Sequence, residues 1–206
     1  MVTTENGSGE NKDELLQRIE LMETMIAEGR RSTVRNGWIF VLWGSLYFAA
    51  VGWELFLPFR NWAWPVCMGA GVVITIVVRV RQRRTAGGTV NMQSRSIMAV
   101  WRMMGTAVSL FAFTGILTHH AGGTMYMAAI LFFIGLAHAT SAMILRWRVQ
   151  GAVAAIWWVG GMAIFFANRW QESLAIFLTA SFFGMILFGL YAMMLERRRE
   201  AVQKHA

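Results

Sequence analysis

The chain has 206 residues, 56% of them hydrophobic and 15% charged, with a formal net charge of +8 and a mean hydropathy of +0.47. Soluble domains carry about a quarter charged residues, so this composition excludes a water-soluble globule, which would lack the polar surface to cover itself. The single cysteine, Cys67, excludes an intramolecular disulfide and a multi-cysteine metal site. The basic excess sits at the ends of apolar runs and forms no stripe of its own, so no nucleic-acid partner is expected.

Residues 1–10 are polar and glycine-bearing and are expected to be disordered. Residues 12–35 predict an amphipathic helix, because Leu15, Ile19, Met22 and Ile26 recur at helical steps on one stripe. Asp13 and Glu14 at its front and Arg30, Arg31 and Arg35 at its back suit the helix dipole. That stripe is the expected contact for a protein partner or a second copy of the chain. Asn36-Gly37 marks a break before the first apolar run. The polar, acid-bearing first 36 residues do not read as a cleavable signal peptide.

Six apolar runs follow, at 37–57, 62–80, 97–118, 124–145, 149–167 and 173–194. Each is long enough, at about 1.5 Å per residue, to cross a hydrocarbon core of about 30 Å as a helix. None alternates as a barrel strand would. The segment FFIGLAHATSAMILRWR at 132–148 returns, altered, as FFGMILFGLYAMMLERR at 182–198, and Trp101-x-x-x-Gly105 returns as Trp157-x-x-x-Gly161. Residues 97–148 and 149–199 therefore read as two versions of one hairpin, with 37–80 as a third. The predicted fold is all-α: a bundle of six spans built from three pseudo-repeated hairpins, preceded by a lead helix and followed by a short tail, 200–206.

An even number of spans puts both termini on one side. All 19 Lys and Arg residues except Arg60 and Arg169 fall on that side. By the positive-inside rule it is the cytoplasmic side of a bacterial inner membrane. Trp53, Trp62, Trp64 and Trp170 near one interface and Trp38, Trp101 and Trp147 near the other make the expected aromatic belts.

Few side chains in the spans carry chemistry. Glu54 is the only carboxylate within a span; it lies near an outer end, where solvation competes with a functional role. His138 in the fourth span has Thr140 and Ser141 close in sequence, and either a helix-to-helix hydrogen bond or a polar path accounts for it. Glu54, His138, Thr106, Ser109 and Ser141 are the residues that would line such a path. His119 and His120 in an outer loop would titrate as the outside acidifies, and with Met125 and Met127 they form a weak candidate metal site. Haem ligation by His138 would need a methionine as second ligand. No cofactor is expected. Arg102, about one turn inside the third span, reads as snorkelling toward the basic interface. Gly44, Gly52, Gly69, Gly105, Gly161, Gly184 and Gly189 read as points of close helix approach. No phosphate-binding loop, HExxH or nucleophile elbow is present, so no catalytic grouping is expected.

Three consecutive hairpins with intrahelical glycines, short outer turns and basic inner loops resemble the HdeD-type bacterial membrane proteins over residues 37–199, with local echoes at Trp157-x-x-x-Gly161 and Phe188-Gly189-Leu190. The lead helix departs from that pattern; with Leu42-Trp43-Gly44 it resembles small bacterial six-span proteins that carry a cytoplasmic lead helix. The first resemblance implies a role in acid resistance without an established catalytic site. The expectation is thus a non-enzymatic inner-membrane protein, stress-related or acting as a scaffold or regulator through its lead helix. The alternatives are a small channel or transporter and, more weakly, a haem or metal binder.

Overall fold

The computed structural model of the protein describes residues 7–85, 92–118 and 123–205. All regular structure among them is helical: α1 (Gly7–Arg35), α2 (Gly37–Phe56), a 3-10 turn at Arg60–Trp62, α3 (Ala63–Thr85), α4 (Met92–Thr118), α5 (Gly123–Leu145), α6 (Arg148–Ile164) and α7 (Trp170–Ser181). A π-helical segment, Phe182–Leu187, then leads into α8 (Phe188–His205). Five stretches are long and apolar enough to cross a membrane: Gly37–Phe56, Arg60–Gln82, Ser94–Gly115, Gly123–Leu145 and Trp170–Arg199. The fifth apolar run of the sequence behaves differently. Its helix, α6, has 17 residues, about 25 Å at 1.5 Å per residue, and stops at Ile164.

Two expectations about the amino-terminal segment change. Residues 7–10, expected to be disordered, form the first turn of α1. The break before the first apolar run is a single residue: Asn36 keeps its N–H bonded to Ser32 and Thr33 carbonyls, and its Nδ2 donates to Ser32 O at 2.7 Å. The chain therefore turns there without losing its hydrogen bonds, and α1 runs almost directly into α2.

The core lies where α5, α6, α7 and α2 meet, around Trp157, Phe177, Leu131 and Ile134, all fully buried. The α5–α6 pair is the most extensive contact in the molecule. Glycine sets the closest seam, since a Cβ on Gly37 would strike the Gly189 carbonyl oxygen and one on Gly189 would strike that of Gly37. Here α2 and α8 meet backbone to backbone, as small residues allow in lipid.

The packing of α7 and α8 explains the π segment between them. Apart from Leu174, their buried residues and those of the segment form two rows spaced by four: Ser173, Phe177, Ser181, Met185, Gly189, and Ala180, Gly184, Phe188, Ala192. In a regular α-helix a step of four drifts by about 40°, so four such steps would carry the row well around the helix. The wider π turn absorbs that drift and keeps Gly184 against Trp157 and the Met185–Ile186 pair against Gly44.

At the end of α5, Arg146 adopts a left-handed conformation with φ 48°. The Trp147 N–H bonds to Ala142 O at 3.0 Å and the Arg146 N–H to Met143 O at 3.3 Å, the paired bonds of a Schellman ending. Glycine normally takes this position because a Cβ costs about 1–2 kcal/mol in the left-handed region. Arg146→Gly is therefore expected to leave the melting temperature in detergent unchanged or raise it, by up to about 1 kcal/mol of stability. A drop would show that the arginine side chain contributes more than its backbone strain costs.

The carbonyls freed at this ending are taken by α1. Arg30 Nε donates to Leu145 O at 2.7 Å and its Nη2 to Arg146 O at 2.7 Å. Thr33 and Val34, on the following turn, are buried. The carboxyl-terminal end of α1 is thus fixed to the bundle. Leu15, Ile19 and Met22, farther back along the helix, remain about half exposed, and Ile26 is half-buried.

A candidate amphiphile-binding cleft

α3 packs on α2, while α4 packs on α5 and α1. With different partners, α3 and α4 stand apart, and a cleft of about 940 Å³ lies between them with α2 at its back. That volume is at the upper end for small-molecule sites, about 300–1,000 Å³. Its walls are mainly apolar: Phe40, Trp43 and Tyr47 from α2, Met68 and Val72 from α3, Trp101, Val108, Leu110 and Phe113 from α4. The charged groups and several polar ones gather at one end. Arg79 closes α3's wall there, Arg102 and Ser94 stand on α4, Asn36 lies at the α1–α2 junction, and Gly29, Ser32 and Thr33 of α1 lie across the mouth. This is the end of the bundle that carries α1 and the Arg30 contact, here termed the basic end. Arg102 is exposed, and its Nε donates to Met98 O at 3.3 Å; Arg79 is half-buried and has contacts of its own.

Two glycines read in the sequence as points of close approach face this opening instead. A Cβ on Gly69 or Gly105 meets nothing within 4 Å, and both residues line the cleft. Gly52 is likewise open, whereas Gly44, Gly161, Gly184 and Gly189 are crowded.

The five residues of the anticipated polar path do not share one cavity. Thr106 and Ser109 line the cleft, but their hydroxyls donate to Arg102 O at 3.0 Å and Gly105 O at 2.8 Å on their own helix. Glu54 lies toward the opposite end of α2, where Trp64 Nε1 donates to its Oε2 at 2.8 Å. This bond gives the carboxylate a partner in the α2–α3 hairpin. His138 and Ser141 are fully buried in the core. Of the weak metal candidates, Met125 is exposed and Met127 is buried in the core. Two positions apart on one helix, they point to different sides. His119 and His120 lie outside the described residues. Among the described residues no three His, Cys, Asp or Glu side chains gather as a metal site.

His138 sits directly behind the cleft wall. Four rings surround it, Trp101 at 5.0 Å, Phe188 at 5.3 Å, Phe40 at 5.4 Å and Trp157 at 6.3 Å between centroids, and Phe40 and Trp101 face the cleft with their other sides. Neither imidazole nitrogen has a hydrogen-bond partner among the described residues, and the same holds for Ser141 Oγ and the Gln150 side chain. Ser141 and Gln150 flank the α5–α6 turn at similar distances along the chain, which sets them level in the antiparallel pair. Buried polar groups of this kind are served by internal water. His138→Phe keeps a ring in the aromatic box and removes two unsatisfied nitrogens, so thermal stability in detergent is expected to hold or rise by about 1 kcal/mol. A loss of about 2 kcal/mol or more would mean that the imidazole is hydrogen-bonded in the folded protein.

The fold is thus that of a helical protein with several membrane-length apolar helices and a mainly apolar cleft whose charged groups lie at one end. Comparison of the chain with protein-family profiles, with curated proteins and with solved structures finds no match.

Proposed function

We propose that this is a non-enzymatic, six-span protein of the bacterial inner membrane, with both termini in the cytoplasm, that holds a lipid-like amphiphile in the cleft between α3 and α4. One observation carries the reading: both guanidinium groups of the cleft, Arg79 and Arg102, lie at its basic end, and mainly apolar walls, broken by the hydroxyls of Tyr47, Thr75, Thr106 and Ser109, make up the rest. An amphiphile has that same division.

The six-span topology is supported by five long apolar helices together with α6, whose 17 residues reach the lower limit for a crossing. The pairs α2–α3, α4–α5 and α6–α7 each pack as hairpins, in keeping with the three sequence repeats. The distribution of Lys and Arg supports the orientation. A scaffold or regulatory role for the lead helix rests on its exposed Leu15, Ile19 and Met22. A non-catalytic role also accords with the resemblance to HdeD-type proteins. The channel reading loses its main support, because Glu54, His138 and Ser141 lie apart from the cleft that Thr106 and Ser109 line.

The test is retention of lipid through purification. Wild-type protein in a mild detergent is expected to keep about one amphiphile per chain, measured by extraction and mass spectrometry. Gly105→Leu places a side chain in open space within the cleft, so it should fold normally and lose at least half of that retained material. A wild-type protein that keeps no stoichiometric amphiphile would overturn the proposal.

A further inference from the structure

The cleft has a depth as well as a polarity. From the α1–α2 junction at Asn36 it runs along α2 to Tyr47, along α3 from Arg79 to Met68 and along α4 from Ser94 to Phe113. Asn36 to Tyr47, Arg79 to Met68 and Arg102 to Phe113 are each eleven positions, which is about 16 Å of helix at 1.5 Å per residue, and Ser94, Ile97 and Met98 continue the α4 wall beyond Arg102 at the basic end. One leaflet of a bilayer with a core of about 30 Å is about 15 Å thick. Three walls, running in both chain directions, therefore define a slot one leaflet deep. Its polar end carries two guanidinium groups and no carboxylate among its lining residues.

We infer that the occupant is a membrane phospholipid with an anionic headgroup, drawn from the leaflet at the basic end, its phosphate set between Arg79 and Arg102 and its acyl portion lying against Trp43, Trp101 and Phe113. The inference rests on the proposed amphiphile-holding function and names the ligand's class. Arginine suits a phosphate through charge-assisted, planar hydrogen bonding, and an arginine held inside a span is costly unless a partner or the interface meets it. The apolar walls account for a lipid rather than a free anion: most of the lining has no use for a soluble phosphate. α3 and α4 have different packing partners, and α4 is the least buried of the five long apolar stretches, so the slot has a lateral route from the bilayer. Ser32 and Thr33 of α1 lie across the mouth, which puts the headgroup against the end of the lead helix.

The experiment uses the full chain, delipidated in mild detergent and titrated with phosphatidylglycerol or phosphatidylcholine of identical acyl chains, with bound lipid counted by native mass spectrometry. Both lipids carry the phosphate, but phosphatidylcholine adds a choline cation that two guanidinium groups disfavour, so phosphatidylglycerol, with its net negative charge, is expected to bind about tenfold more tightly. Arg102→Gln should weaken both lipids, the net anion more, and cut the preference to about threefold or less, while Arg102→Lys should keep most of the preference. Arg102 is exposed and bonds to Met98 O on its own helix, so these variants should fold. Gly105→Leu should weaken both lipids. Equal affinity for the two lipids in the wild type, or a preference left unchanged by Arg102→Gln, would overturn the headgroup assignment and leave the cleft's occupancy standing. Displacement of bound phosphatidylglycerol by millimolar glycerol phosphate would overturn it in favour of a soluble anion. Binding of neither lipid would overturn the amphiphile reading itself.

Discussion

Gly189→Leu is expected to remove most of the folded protein from a detergent extract. The nearest obstacles to a side chain there are the Gly37 carbonyl oxygen and the Val41 backbone N, with a Val41 methyl beside them. A flexible side chain can swing away from an intruder, but two helix backbones cannot part without opening the α2–α8 seam. Overpacking a well-filled interior costs about 1–3 kcal/mol, and a backbone-to-backbone contact belongs at the top of that range. The check is the melting temperature and monodisperse yield of Gly189→Leu beside Gly52→Leu. The second variant points into open space and is expected to stay within about 0.5 kcal/mol of the parent. Equal behaviour of the two would mean that the α2–α8 seam is not as close as described.

Arg30→Gln is expected to free the lead helix without unfolding the bundle. The guanidinium joins α1 to two carbonyls at the end of α5. Hydrogen bonds to a charged group are worth about 1.5–3 kcal/mol when protected, and the partial exposure of this pair lowers the combined value to about 2 kcal/mol. Hydrogen exchange over residues 24–36 should accelerate about tenfold or more, and protease sites around Arg31 and Arg35 should open, while exchange in α5 and α6 stays slow. Arg30→Lys should restore part of the protection, since an ammonium group reaches one carbonyl more readily than two. Unchanged exchange in Arg30→Gln would show that Thr33 and Val34 hold the helix by packing alone.

The membrane-length helices were legible because each is a long apolar run, but three of them outrun it through polar and basic residues: α3 continues past 80 to Thr85, α4 starts at Met92 ahead of 97 and α8 continues past 194 to His205. α6 falls short instead. Phe165, Phe166 and Ala167 extend the apolar run, but the helix yields to the turn before α7, where the Glu172 carboxylate accepts the Asn168 N–H at 2.9 Å and the Arg169 N–H at 3.3 Å. The cleft was only half legible. Thr106, Ser109 and Arg102 stood out as polar residues in a span, but an apolar residue facing lipid and one facing a cleft look alike in a sequence. Gly69 and Gly105 were misread for a related reason: glycine marks missing volume, and whether a neighbour fills it depends on which helices pack together. The Arg30 contact spans 115 residues of chain and has no local signal. The repeated segments at 132–148 and 182–198 share letters but differ in geometry, since the first lies in straight α-helix up to its turn and the second opens in the π segment.

That π segment also gives the gene a place to change. It holds about one residue more than regular α-helix needs for the same rotation, so removing one outward residue such as Phe183 would close it into unbroken α-helix with everything downstream kept near its present facing. Phe188 and Ala192 would stay in the seam. The same single-codon deletion in the regular helix of α5 would swing everything beyond it by about 100° about the axis and should be as damaging as a large substitution in the core, while one in the tail beyond Arg199 should pass unnoticed.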